Sequence, residues 1–301
     1  MNTRTVQAPA ELLAFLFAEW PEVKKKKMQA WLKFRAVTVN GAPVTQFDHR
    51  LRAGDVVAID TAQGPARKAE FVSELRILFE DESLIVVDKP AGLLSIATES
   101  ERERTAYYEL TEYLRNAPTR RRERVWIVHR LDRETSGLMV FAKTATAKSI
   151  LQQGWDEVEK RYQAVVEGAP PAEHGTFESD LNEASPSKVH SAPPSERTRH
   201  AITQYRVLSR FGTRALVELT LVTGRRHQIR VHLADADCPV VGDEKYGATT
   251  NPAKRLALHA CGLAFRHPTT QKAMRFESPL PAELMRLVSR STSQRRSRPS
   301  S

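Results

Sequence analysis

His129-Arg130-Leu131-Asp132-Arg133-Glu134-Thr135-Ser136-Gly137 sets one carboxylate, Asp132, in a polar turn between two apolar segments. Upstream, Val125-Trp126-Ile127-Val128 is β-branched and aromatic. Downstream, Leu138-Met139-Val140-Phe141-Ala142 resumes the apolar run, and Thr-Ser-Gly between them supplies turn chemistry. A loop gripped at both ends by buried strands presents its side chains rigidly, as a catalytic group requires. Alone, such an Asp would be read as a turn cap or as the partner of Arg133. Its neighbours in the chain decide otherwise.

Strand patterns surround this turn. Leu75-Arg76-Ile77-Leu78-Phe79 and Leu84-Ile85-Val86-Val87 precede it, and Gly212 to Val222 alternates, with Ala215, Val217, Leu219 and Leu221 on one face. Ala145 to Trp155 reads as a short helix with Ile150, Leu151 and Trp155 as its core stripe. Residues 182–200, rich in Ser, Pro and charge, read as a mobile surface loop, a candidate lid over a substrate. Residues 11–60 differ in character. An amphipathic helix runs through Leu12, Leu13, Leu16 and Phe17, and a second through Met28, Trp31 and Leu32. Strands follow around an Asn40-Gly41 turn and a Gly54-Asp55 turn. The expected division is a small domain over 1–60, a linker over 61–74, a large domain over 75–290 and a basic disordered tail over 291–301.

A chain of 301 residues suits one large and one small domain, and 41% hydrophobic residues suffice for a packed core. Lys and Arg number 46 against 36 Asp and Glu, a net charge of +10, and the cations cluster. Lys24 to Lys27 form one run; Arg120, Arg121, Arg122, Arg124, Arg130 and Arg133 form another beside the Asp132 turn. Clustering favours a polyanionic partner over a mere solubility surplus. The two cysteines, Cys238 and Cys261, form no C-x-x-C pair and no apolar leader precedes the chain, so a reducing compartment, the cytoplasm, is expected. No apolar stretch nears the roughly 18 residues needed to span a bilayer.

His129 to Thr144, HRLDRETSGLMVFAKT, resembles the signature of the RluA type of pseudouridine synthases, which modify large-subunit ribosomal RNA and transfer RNA. In the same order, Lys160 to Gly168 (KRYQAVVEG) resembles the family's tyrosine strand and Thr223 to Leu233 (TGRRHQIRVHL) its basic motif. Fainter echoes lie at Asp88 to Leu93 (DKPAGL) and Pro239 to Gly247 (PVVGDEKYG). The two-helices-then-hairpin order of residues 11–60 resembles a small RNA-binding domain shared with a small-subunit ribosomal protein, although Phe34-Arg35-Ala36 stands where that domain has a glycine.

The resemblance implies an α+β fold, a mixed, mainly antiparallel sheet flanked by helices, preceded by a small α+β RNA-binding domain. It implies a monomer that isomerises uridine in ribosomal or transfer RNA without cofactor or metal. Asp132 would be the catalytic carboxylate, attacking the anomeric carbon or taking a ribose proton. Arg230 would be the cation that pairs with and orients it. Tyr162 would stack on the target uracil. Arg130 would fill the space left by the flipped base. His129 would brace the loop, and together with Arg130, Arg133, Arg225, His227 and Gln228 it belongs to the expected substrate side.

Other chemistries fit less well. His227 and His232 lie five residues apart, which on a helix turns them away from each other, so zinc binding is not expected. No glycine-rich phosphate cradle occurs, Leu131 interrupts the kinase catalytic-loop pattern, and Ser136 lacks a nucleophile elbow. The competing class is an inactive RNA-binding or ribosome-assembly protein; retention of Asp132, Tyr162 and Arg230 favours the enzyme.

Overall fold

Strand sequences that alternate which face their apolar residues cover need packing on both sides, and the apolar run after Asp132 meets that need. In the computed structural model, Ser136–Ala142 is a strand in which every residue is buried. Leu138, Val140 and Ala142 pack on one face with Ala147 and Leu151, while Met139 and Phe141 pack on the other with Leu110 and Leu114. The structure describes residues 2–23, 28, 31–32, 36–59, 75–99, 101–116, 124–185 and 187–289. The Lys24–Lys27 run, Phe34-Arg35, the linker over 61–74, Arg120 to Arg122 and the tail over 291–301 lie outside them.

The chain divides into two compact units, Met1–Val72 and Ser73–Ser301. In the first, β1 (Asn2–Thr5), β2 (Ala10–Glu11), α1 (Leu12–Glu19), β3 (Val37–Val39), β4 (Ala42–Pro43), β5 (Arg50–Leu51) and β6 (Val56–Ile59) enclose a core of Leu12, Leu16, Trp20, Met28, Trp31, Leu32, Val37, Val57 and Ile59. The four-stranded sheet runs β1-β6-β3-β4, and β2 pairs β5 separately. Asn40 and Gly41 both take positive φ, 51° and 82°, the requirement of a tight two-residue hairpin. Sequence reading misses β1, because Asn-Thr-Arg-Thr has no apolar alternation; backbone pairing of Asn2 to Thr5 with Ile59 to Val56 makes the strand.

The second unit is built on an eleven-stranded sheet. Its elements are β7 (Arg76–Glu80), β8 (Leu84–Lys89), α2 (Ala106–Asn116), β9 (Trp126–Ile127), β10 (Ser136–Ala142), α3 (Ala145–Gln153), β11 (Glu159–Glu167), β12 (His174–Asn182), β13 (His190–Ser191), β14 (Thr198–Phe211), β15 (Arg214–Leu221), α4 (Gln228–Asp235), β16 (Leu258–Arg266), β17 (Ala273–Glu277) and α5 (Ala282–Met285). The order is β13-β12-β14-β15-β11-β16-β10-β8-β7, with β17 on β16 and β9 on β10. Every pairing is antiparallel except β10 with β16, so the fold is the mixed, mainly antiparallel α+β arrangement expected.

Two expectations change. In α3, Ala147 and Leu151 form the buried pair and Ile150 is exposed; Thr144 caps the helix by accepting from the Ala147 N–H, and this fixes the helical phase. Residues 182–200 are not simply a surface loop. Asn182 pairs with Thr198, His190–Ser191 adds a strand beside β12, and Val189 is fully buried among Leu181, Ala201, Val231 and Tyr246. One apolar side chain anchors an otherwise polar excursion.

The parallel pairing is tight. Gly137 faces Ala260 with φ +117°, and a Cβ there would fall 2.6 Å from Ala260 N and nearer still to its carbonyl. Beyond Ala260 in the same row lies Tyr162, at a bulge where Arg161 opposes Gly262 and Tyr162 opposes Ala260. Gly137→Ala therefore must separate β10 from β16. We expect it to lower unfolding free energy by about 3 kcal/mol or more in denaturant titration, since clash and positive φ add; near-parental stability would contradict this close approach.

Candidate active site

Asp132 sits in the turn between β9 and β10, and the residues on both sides of it are clamped. Ser95 Oγ donates to Leu131 O at 2.6 Å and accepts from Leu131 N at 3.0 Å. Arg133 O accepts from Gly92 N at 2.8 Å and from Lys89 Nζ at 3.2 Å. Lys89 also donates to Leu93 O and Pro90 O, at 2.8 and 2.9 Å, and is fully buried. Burial pushes its pKa down to about 7, against the charge of Glu134. The Asp88-Lys89-Pro90 echo is thus the brace under the turn.

Arg230, on α4, reaches the turn. Its Nε and one terminal nitrogen donate to the two oxygens of Asp243, each at 2.7 Å, and its other terminal nitrogen lies 3.4 Å from Asp132 Oδ2. Burial opposes the Arg230 charge, but the Asp243 hydrogen bonds and charge outweigh it, so its pKa is raised. The expected Arg230–Asp132 pairing is present, but the principal partner is Asp243. That residue lies in the Pro239–Gly247 run, the only sequence signal for it.

His227 enters the same place from the residue before α4, in a left-handed conformation (φ 55°, ψ 15°). Its Nδ1 is 2.7 Å from the Tyr246 hydroxyl and its Nε2 is 3.7 Å from Asp132 Oδ2. Burial lowers its pKa below the ordinary 6.5, against the opposing pull of Asp132. Tyr246 stacks its ring 5.0 Å from the Arg230 guanidinium. Tyr162 is half-buried, packed against core groups on both sides, and its phenol pKa is raised by burial and by the charge of Asp132. Asp132, Tyr162, Arg230 and His227 therefore converge.

Among the remaining candidates, two belong to the frame. Gln228 is 2% exposed and uses its whole amide: it donates to Ile202 O and Thr203 Oγ1 and accepts from Thr223 Oγ1 and Arg225 N. The amide expected on the substrate side is thus engaged within the protein. His129 Nε2 accepts from Val140 N at 3.1 Å and its ring stacks on Trp155 at 4.4 Å, which braces the turn from within. Arg130, Arg133 and Arg225 are exposed. Among the described residues no cluster of three or more His, Cys, Asp or Glu could hold a metal, both cysteines are free, and no helix is long and apolar enough to cross a membrane.

Residues 83–235 match the family model described as RNA pseudouridylate synthase. The chain is 34% identical to ribosomal large subunit pseudouridine synthase D of Neisseria meningitidis, over 94% of its own length and 79% of the relative's. The chain belongs to the RNA pseudouridylate synthase family. It is 32% identical to the synthase D of Yersinia pestis, covering 96% and 90% of the two chains. The solved human RNA pseudouridylate synthase domain containing 4 superposes with a TM-score of 0.58 at 30% identity, over 70% of this chain and 92% of that one. The protein is accordingly an isomerase acting on uridine in RNA.

Two predictions follow from this geometry. Asp243→Asn removes the charge that neutralises a buried arginine, and should destabilise the synthase by about 3–5 kcal/mol in chemical denaturation. A smaller loss, under about 1 kcal/mol, would mean that Asp132 suffices as counter-charge. His232, 3% exposed between Thr203 Oγ1 and Ser179 Oγ, has its pKa pushed down by burial to about 4. The unfolded chain binds that proton first, so the contribution of His232 is complete above pH 6.5 and declines toward pH 4, by up to about 1.4 kcal/mol per pH unit. Unfolding free energy of His232→Gln should fall less steeply than the parent's over that range; parallel curves would refute a neutral His232.

Proposed function

We propose that this synthase converts uridine to pseudouridine in large-subunit ribosomal RNA, with Asp132 as its catalytic carboxylate. The reading is carried by one observation: in a chain of this family, Asp132 in the clamped turn is the carboxylate met by Arg230, and its charge acts on Tyr162. The ribosomal target is supported by the names of the relatives; transfer RNA is the other substrate class.

The reaction breaks the N1–C1′ bond, forms a C5–C1′ bond and moves the C5 proton to N1, so atoms balance without oxidant or energy source. Asp132 either attacks C1′ or takes a ribose proton, and both routes need an ionised carboxylate with an oxygen facing the sugar. Tyr162, protonated at neutral pH because burial and Asp132 disfavour the phenolate, serves as a flat wall for the detached base. Exposed Arg130, Arg133 and Arg225 contact phosphate or fill the space of the extruded base. The N-terminal unit is assigned to holding RNA, and the free cysteines suit a reducing cytoplasm.

The test is carbodiimide labelling of RNA from cells with and without the gene. A stop lost from large-subunit ribosomal RNA supports the proposal; a stop lost only from transfer RNA reassigns the substrate. Asp132→Asn, nearly isosteric but uncharged, should abolish turnover of that RNA while leaving affinity close to the parent's, and measurable turnover would remove Asp132 from the mechanism.

A further inference from the structure

Arg230 and His227 approach the same oxygen of Asp132. Arg230 lies 3.4 Å and His227 Nε2 3.7 Å from Oδ2, and among the described residues no hydrogen bond reaches Oδ1. A carboxylate held through one oxygen is held in rotation, and the other oxygen is the one left to react. Holding of this kind works only if His227 presents a hydrogen rather than a lone pair.

The hydrogen bonds around Tyr246 fix which it presents. Val189 N donates to the Tyr246 hydroxyl at 3.0 Å, and the hydroxyl is 2.7 Å from His227 Nδ1. Tyr246 is 8% exposed, so its one proton needs a partner, and with Val189 on the oxygen's lone pair the proton points to Nδ1. A neutral imidazole whose Nδ1 accepts carries its hydrogen on Nε2, which faces Asp132. The charged groups around the ring are Asp132 from the turn, Arg226 and Arg230 from its own segment, and Lys245 beside Tyr246; three cations and burial oppose one carboxylate, in keeping with a neutral ring. The left-handed backbone at His227, costly for most side chains, is what turns the ring to that position. The buried Val189 in turn explains why the polar excursion over residues 182–200 is anchored: it delivers the N–H that orients Tyr246.

We infer that His227, its tautomer set by Tyr246 and Val189, is a positioning residue that together with Arg230 holds Asp132 by Oδ2 and leaves Oδ1 as the reacting oxygen. The 3.7 Å separation is longer than a hydrogen bond, and the inference requires it to shorten when substrate fills the site, as catalytic contacts that are long in empty enzymes often do. This rests on the assignment of Asp132 as the catalytic carboxylate.

Asparagine and glutamine separate the two ring nitrogens. The amide nitrogen of His227→Gln stands where Nε2 stood; that of His227→Asn stands where Nδ1 stood. Single-turnover rates at saturating RNA, with affinities measured alongside, should show His227→Asn and His227→Ala slowed about 100-fold, the scale of a misdirected catalytic group. His227→Gln should stay within about 10-fold of the parent, and all three should bind RNA as the parent does. Asparagine suits a left-handed position better than glutamine, so a slow Asn variant beside a fast Gln variant is not an effect of stability. Thermal melts of both verify folding. If Asn matches or exceeds Gln, or if the loss lies in affinity rather than rate, His227 is an RNA contact and the inference falls. An active Asp132→Asn enzyme would instead overturn the underlying assignment, so the two failures are distinguishable.

Discussion

The active site depends on one close approach of backbone to backbone. Gly137 of β10 lies against Ala260 of β16, and Ala260 in turn lies opposite Tyr162 of β11, three strands in one row. Neighbouring strands are about 4.8 Å apart, so the backbone gap from Gly137 to Tyr162 is about 10 Å, which a tyrosine side chain and a carboxylate on the preceding turn can close. Any side chain at 137 widens that gap. A bulge beside Tyr162 shifts the register of β11 on β16, so that Tyr162 rather than Arg161 comes opposite Ala260. The parallel pairing, single among the described strands of this sheet, therefore brings the Asp132 turn and the Tyr162 strand together.

Electrostatics divides the site into a buried, paired carboxylate and a more accessible one. Asp243 has a side chain 1% exposed and takes the two-pronged grip of Arg230; Asp132 has a side chain 26% exposed and receives one longer contact. A buried guanidinium needs a close counter-charge, because desolvation of an unpaired ion costs several kcal/mol. If Asp132 supplied it alone, with both oxygens engaged, neither would be available to substrate. Asp243 neutralises the cation and frees Asp132 to be oriented without being consumed.

The strand-turn-strand around Asp132, the α3 segment and the β15 alternation were legible because their apolar periodicity is local. Less legible was whatever depends on a distant partner. β1 carries no pattern of its own and exists through β6. Val189 looks like one apolar residue in a polar stretch until Leu181, Ala201, Val231 and Tyr246 surround it. Lys89, Ser95, Asp243 and Tyr246 carried no assigned role, since a sequence shows residue types but not which backbone groups converge on them. The partners of Gln228 and His129 are equally invisible in the sequence: both are polar residues inside a functional motif, and their hydrogen bonds close inward on Ile202, Thr203, Thr223 and Val140.

That inward closure bears on how the enzyme separates binding from chemistry. The buried polar residues of the motifs, Lys89, Gln228, Arg230 and Asp243, have their hydrogen-bonding groups satisfied by protein, so they are rigid and indifferent to solvent. The exposed arginines of the same motifs, Arg130, Arg133 and Arg225, present charge at the surface, where salt screens it. Extruding a base costs a few kcal/mol, and under the proposed function exposed cations that exchange solvent for phosphate help to offset that cost. The first group is already satisfied within the protein, so under the proposed function its effect falls on the bond-breaking step, where a carboxylate already aimed spares the reorganisation that a free one would require. Buried or half-buried residues and exposed ones lie close together along the same short motifs, Arg225 three positions before Gln228 and Arg130 next to His129, so one short segment both braces the site from within and presents a cation to solvent.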